Sequence, residues 1–380
     1  MTRYDTPHSV SSSQLSTLNS QLAVNTCEHD EHLSTFSPGR RPNPRHHPRA
    51  ATRGLARHKI VKFCATEATL PGLHHPPYSL ATSAGWLLIY LQLENIMITP
   101  ALKNDEFLAD VTAAASDTAN VHLWWLGQSG FLVQWQNHHL LLDPYLSDSL
   151  TEKYADTDKP HVRMTERVIA PERLDFIDIV TSSHNHTDHL DAATLLPLMR
   201  ANPKMELLIA EANRQFVVDR LKVAIEYPRG LDYGKCHTLG GFAIRGFPAA
   251  HDLIEKDEWG HHKYLGYIIE AGPWTIYHSG DTKLFDEMEQ KLQAWPIDVA
   301  LLPINGDLPE RRVAGNLSGS EAARLAKEIG ASVVIPCHYE MFEFNTASPD
   351  EFIRTCEQIG QPYRILRCGE RWSTSELRRV

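Results

Sequence analysis

Residues 177–191 read Ile-Asp-Ile-Val-Thr-Ser-Ser-His-Asn-His-Thr-Asp-His-Leu-Asp. A short, largely β-branched run ends in a cluster of three histidines and two aspartates. His184, His186, Asp188 and His189 form the pattern H-x-H-x-D-H. Imidazole nitrogen and carboxylate oxygen suit zinc, manganese or iron. In extended backbone, residues two apart point the same way, so His184 and His186 are expected to reach one ion together. Asp188 and His189 follow the strand end, where the chain turns, and can face a second ion. A polar, His-rich loop is the alternative, and four ligand-type residues within six argue against it. Such a cluster obliges the rest of the chain to fold so that further ligands meet it.

Several strand ends offer them. Residues 121–125, 131–135 and 139–142 read as an antiparallel meander, with Leu126-Gly127-Gln128-Ser129-Gly130 as its first turn. Asp143 ends the third strand, where it can either orient a metal-bound histidine or cap the turn before Pro144. Strands are expected at 177–181, 205–210, 242–247, 264–270, 275–278, 299–303, 332–336 and 363–368. Helices are expected at 191–201, 213–222, 284–295, 318–330 and 351–360. Asp191 is placed as an N-cap, and Ser318 with Glu321 as a capping box. His251, Asp281 and His338 each follow a strand. Cys337, beside His338, points to the opposite face and reads as a core thiol. Strands, then strand–helix alternation, then the same again predict an α/β fold, a four-layer αβ/βα sandwich with helices outside two facing sheets.

Charge divides the chain. Residues 1–96 carry 9 Lys+Arg against 6 Asp+Glu and 8 of the 21 histidines. The whole chain has a net charge of -10, so the acidic balance lies beyond residue 97. That balance argues against a nucleic-acid partner held by bulk charge and leaves only a local basic patch as a means of holding one. The early segment is rich in Ser, Pro, Arg and His without a helical or strand period, and reads as low-complexity and disordered, or as a gene-model extension with Met97 as the natural start. Domain organisation is therefore expected as 1–96, an extension, and 97–380, the catalytic domain. No secretory pattern opens the chain, and Trp86 to Leu93 is too short to span a bilayer. Six scattered cysteines without a C-x-x-C pair fit a reducing compartment. A cytoplasmic location follows as the expectation, with self-association left open.

The order of these motifs resembles the metallo-β-lactamase superfamily and, within it, the ascorbate 6-phosphate lactonase-like branch, which also includes relatives of N-acyl phosphatidylethanolamine phospholipase D. The residues that carry the likeness are 125–131, Asp143-Pro144-Tyr145, 183–191, His251-Asp252, Ser279-Gly280-Asp281-Thr282 and Cys337-His338-Tyr339. The resemblance spans about residues 120–370. It implies two divalent ions, zinc or manganese with iron also admissible. His184, His186 and His251 would bind the first, Asp188, His189 and His338 the second, with Asp281 bridging. It further implies a hydrolase in which a hydroxide held between the ions attacks a carbonyl carbon or a phosphorus, Asp188 being the catalytic carboxylate.

The expected substrate is a small molecule, a lactone of a sugar acid or of its phosphate. A phosphodiesterase acting on a phospholipid or nucleotide is one alternative, and a non-catalytic metal-binding scaffold another. Gln128 lies in a loop expected near the substrate. Arg311, Arg312, Asn316 and the helix start at Ser318 are candidate phosphate holders, against the plainer reading of an exposed charged loop. His278 reads either as a residue behind the metals or as a strand histidine with a satisfied hydrogen bond. His261 and His262 read as solvated.

Overall fold

The computed structural model describes residues 97–377. The expectations for residues 1–96, including the Met97 start, lie outside these residues. Two mixed sheets form the frame. Seven strands are ordered β13-β1-β2-β3-β4-β5-β6 and six are ordered β12-β11-β10-β9-β8-β7. The first sheet begins with the expected meander: β1 (His122–Gly127), β2 (Gly130–Trp135) and β3 (His138–Leu142) pair antiparallel. It continues in parallel through β4 (Ile179–Ser182), β5 (Glu206–Ala210) and β6 (Arg229–Leu231). The second sheet repeats this plan. Strands β7 (Cys236–Leu239), β8 (Phe242–Pro248), β9 (Leu265–Ala271) and β10 (Trp274–His278) are antiparallel, and β11 (Val299–Pro303) and β12 (Val333–Cys337) extend the sheet in parallel from β10.

One continuous core spans both sheets, from Leu123, Val133 and Leu141 to Ile269, Leu301 and Ile335. The sheets approach closely where side chains shrink. A Cβ on Gly272, at the β9–β10 turn, would stand 2.4 Å from Trp135 Cζ2, and the turn has φ +58°, which glycine tolerates. Helices cover the outside. Helix α6 (Gly319–Glu328) buries Ala322, Ala323, Leu325 and Ala326 while Arg324 and Lys327 face water. Helix α7 (Asp350–Ile359) packs so closely that a Cβ on Gly319 would lie 2.8 Å from Phe352 N.

The boundaries differ from expectation in places. Before β1 stands a helix unseen in the sequence, α1 (Asn104–Ala114), and a short α2 (Ser149–Tyr154) follows β3. Helices α3 (Ala192–Ala201) and α4 (Arg214–Leu221) fall as predicted, whereas the helix expected over 284–295 shrinks to α5 (Met288–Leu292). The strand expected at 363–368 is absent: Tyr363 makes an isolated bridge to Val334, and the closing strand is β13 (Arg371–Ser373), which joins β1 of the other sheet. Gly369, at φ +79°, turns the chain there and donates its N–H to Trp125 O.

Strand direction positions the site. Antiparallel pairing makes β1 parallel in direction to β3, and β8 to β10. Hence β1, β3 and β4 end at one edge of their sheet, and β8, β10 and β12 at one edge of theirs. Ligand sites in open α/β sheets lie beyond such carboxyl ends.

Candidate metal centre

The H-x-H-x-D-H segment is not extended, contrary to the expectation. β4 ends at Ser182, and the N–H groups of His189 and Leu190 both donate to His186 O, at 3.1 and 2.8 Å. A turn, rather than strand alternation, brings the His184 and His186 rings to 4.6 Å. Asp191 closes the segment. It caps α3 by accepting from Ala193 N at 3.2 Å, and also takes the hydroxyls of Ser147, Ser149 and Thr194.

The other loops converge on this turn. His184, His186 and His251 form one group whose nitrogens could share an ion, and Asp188, His189 and His338 form another. Asp281 joins His184 and His189 in a third group that overlaps both. Asp281 Oδ2 lies 3.3 Å from His189 Nε2, 3.2 Å from His338 Nε2 and 3.8 Å from His251 Nε2. Asp188 Oδ2 lies 3.7 and 3.6 Å from the same nitrogens of His189 and His338. Thus one edge gathers His184, His186, Asp188 and His189 from the first sheet, and His251, Asp281 and His338 from the second.

Neighbouring groups fix how each ligand candidate points. His189 Nδ1 donates to Asp143 Oδ2 at 2.7 Å, which turns Nε2 toward the cluster. Asp143 also accepts from Thr181 Oγ1 and Ser183 N, so of its two expected roles it performs the orienting one. His251 Nδ1 donates to Gly315 O at 2.9 Å, which turns its Nε2 toward His186 Nδ1, 3.2 Å away. Ser129 Oγ donates to Asp281 Oδ1 at 3.1 Å, and Asn316 Nδ2 to Asp281 Oδ2 at 3.3 Å. Gln128 Nε2 donates to Asp188 Oδ2 at 2.8 Å and lies 3.2 Å from His338 Nε2. Three non-glycine residues here adopt left-handed backbone: Gln128, Asp143 and His338, at φ 49°, 38° and 62°. Each such residue costs on the order of 1 kcal/mol and persists where surrounding bonds over-determine it. The His338 N–H to Gln128 O bond, 2.9 Å, is one of those, and it ties the two sheets together.

The donor set fits divalent cations. The buried atoms His184 Nε2 and His189 Nε2 have no hydrogen-bond partner. Burial works against ionising Asp281 and Asp188, yet the facing imidazoles of His189 and His338 hold both carboxyls well below their usual range. Burial likewise opposes charging His338, but Asp281 and Asp188 push it up to about 9. Burial drives His184 well below the ordinary histidine range, so the ring is neutral at neutral pH and one of its two nitrogens carries a lone pair. A cluster in which carboxylates draw protons onto buried imidazoles is one that calls for positive charge.

A cavity of about 460 Å³ opens onto the cluster. Gln128, His186, Asp188, His251, Asp281, Asn316 and His338 line it, together with Tyr154, His161, Phe342 and Phe344 and the cationic Lys153 and Arg220. Two expected phosphate holders do not line it. Arg311 spends its guanidinium on Asn305 O and Thr346 O, and Arg312 pairs with Asp158 at 2.8 Å. The helix start at Ser318 is closed by its own capping box, with Glu321 on the Ser318 N–H. His278 is a strand histidine that donates from Nε2 to Ser129 O at 2.8 Å. It supports the turn carrying Ser129, not a ligand directly. His262 is buried rather than solvated, bonded to Asp232 at 2.7 Å, and His261 faces Asp257. Ser129, Ser183 and the aromatic lining were missed. Ser129 and Ser183 sit inside motif stretches and could have been found there, whereas nothing around His161 signals its position.

The chain matches the family described as Beta-lactamase superfamily domain over residues 122–338, more than half its length. It belongs to that family, and is a metal-dependent hydrolase of the metallo-β-lactamase superfamily. Among its relatives is a UPF0173 metal-dependent hydrolase of Saccharolobus solfataricus, 25% identical over 252 residues, which cover 65% of this chain and 97% of the relative. Another, from Pyrococcus horikoshii, is 29% identical over 252 residues, covering 66% and 98%. The isothiocyanate hydrolase from Delia radicum gut bacteria shares the fold, with a TM-score of 0.53 at 19% identity, covering 66% of this chain and 98% of that one. No helix among the described residues is long and apolar enough to cross a membrane.

Proposed function

We propose that the cluster holds two divalent ions, zinc or manganese, and that the protein opens the lactone ring of a sugar acid, as in the ascorbate 6-phosphate lactonase-like branch. The observation that carries this reading is the pair of ligand triads joined through Asp281, whose Oδ2 lies within 3.2 to 3.8 Å of three imidazoles. His184, His186 and His251 would hold one ion, Asp188, His189 and His338 the other, with Asp281 between. Such ions, when bound, lower the pKa of water to about 7 and polarise a carbonyl oxygen.

The chain's own residues then have separate tasks. Gln128 holds Asp188 by its Oδ2, so this ionised carboxylate stands oriented in the cavity. From there it can take a proton from the nucleophile and return it to the leaving alkoxide, as a general base and acid. Asn316 and Ser129 fix Asp281 from opposite oxygens. His184 and His189 do not line the cavity and stay dry behind it. Arg311 and Arg312 are otherwise engaged, but Lys153 and Arg220 line the cavity, so the reading covers both the sugar acid and its phosphate.

Metal analysis of protein purified without added metal, then a screen of lactones and phosphodiesters, tests the reading. Two equivalents of divalent ion per chain are expected, with lactone opening that His186→Ala reduces on the order of 100-fold. Full activity in His186→Ala would overturn the site. Turnover of phosphodiesters alone would overturn the substrate class.

A further inference from the structure

The cavity that the metal cluster lines also contains a clamped imidazole that the chemistry above does not use. His161 stacks on Tyr154, with ring centroids 4.1 Å apart and planes 18° from parallel. Phe344 lies against it at 4.4 Å and Phe342 at 5.4 Å. These contacts leave the ring little freedom to tilt. Its backbone is also held, because Thr151 Oγ1 donates to His161 O at 2.7 Å.

One bond settles its tautomer. His161 Nδ1 lies 3.1 Å from Lys159 O, and a carbonyl can only accept, so Nδ1 carries the proton. In the neutral ring, Nε2 is then a lone-pair acceptor. Among the described residues nothing donates to it. Burial holds the ring below the ordinary histidine range, which keeps it uncharged at neutral pH. The ring is only partly buried and lines the cavity, so water can donate to this nitrogen when the cavity is empty and a substrate hydroxyl can take the water's place.

We propose that His161 is a substrate-positioning residue: its Nε2 accepts a hydrogen bond from a hydroxyl of the substrate, while Tyr154 and Phe344 flank the carbon skeleton. The inference rests on the functional reading above and narrows it to polyhydroxylated carbonyl compounds. Simple alkyl lactones and esters of the same size lack the donor and lose the bond. A site built to pair a substrate hydroxyl discriminates strongly against the analogue without it, because its own polar atom is left unpaired.

The test compares gluconate, a polyhydroxylated carboxylate, with hexanoate, which has the same chain length and no hydroxyls. Both are titrated calorimetrically into zinc-saturated protein. His161→Phe, which keeps the stacked ring and removes the acceptor, is expected to weaken gluconate about tenfold and hexanoate less than twofold. His161→Gln, which restores an acceptor, is expected to recover most of the loss. Heteronuclear NMR of the imidazole nitrogens should show the proton on Nδ1, with or without metal. Failure of the wild type to bind gluconate, equal weakening of both ligands, or a proton on Nε2 would overturn the proposal. Absence of hydrolysis or of bound metal would instead overturn the functional reading, leaving the tautomer measurement intact.

Discussion

At the scale of single residues, the histidines of this site differ mainly in what holds their second nitrogen. His189 gives its Nδ1 proton to a buried carboxylate, Asp143, whereas His251 gives its own to a backbone carbonyl, Gly315 O. A carboxylate raises the basicity of the imidazole it anchors, and a carbonyl does so less. Asp143 is fully buried, and although burial disfavours its charge, the His189 ring beside it holds its pKa below the usual value. Asp143→Asn keeps the shape and an acceptor oxygen but removes that charge. Metal affinity measured by competition with a chromophoric chelator is expected to fall about 10–100-fold, with the far-ultraviolet circular dichroism unchanged. The identity of the ligand candidates is legible in the sequence because imidazole and carboxylate recur just after strands. The left-handed backbone at Gln128, Asp143 and His338 is not, since none is a glycine or asparagine that would announce it.

At the scale of elements, turn and cap chemistry read well and lengths read poorly. The capping box of α6 is present as predicted: Ser318 Oγ accepts from Glu321 N, and Glu321 accepts from Ser318 N. Two of the donors at this helix start are thereby satisfied locally, which counts against an anion site there. Ser318→Ala removes one of those acceptors and is expected to cost about 1 kcal/mol. A urea titration would show it as a lower midpoint at unchanged slope. The helix expected over 284–295 shortens because Glu287 takes a left-handed conformation at φ 66°, so α5 starts only at Met288. The closing strand moved for a related reason. Tyr363 to Cys368 has strand composition, yet it pairs with the β12 edge only around Val334, and Trp372 further on buries itself against the first sheet beside β1. Local propensity does not see which edge is free.

At the scale of the molecule, the site is a seam. The histidines of the 184–189 turn belong to one sheet, and His251, Asp281 and His338 to the other. Direct bonds across the seam include Leu265 N to Ser183 O at 3.1 Å, His338 N to Gln128 O at 2.9 Å, His278 Nε2 to Ser129 O at 2.8 Å and Ser129 Oγ to Asp281. Ions coordinated from both sides would add links that exist only in the folded state. Chelation is therefore expected to lower the unfolding temperature, and re-adding metal to restore it. With free metal at a thousandfold over its dissociation constant, the stabilisation is about 4 kcal/mol per site. Calorimetric scans with and without chelator measure it, and an unchanged transition would show that the ions do not bridge the sheets.

The sequence by itself determined the ligand types, their placement after strands and the strand–helix alternation that makes two similar halves. Those depend on residue chemistry and on periodicities of a few residues, which a linear chain displays. Only the tertiary structure decided which strand ends meet. It turned the H-x-H-x-D-H segment instead of extending it, sent Arg311 and Arg312 to loop carbonyls and an exposed carboxylate, and set His161 in the cavity that Asp188 also lines. Those outcomes follow from pairing register and from competition among distant hydrogen-bond partners, and no local stretch of sequence encodes either.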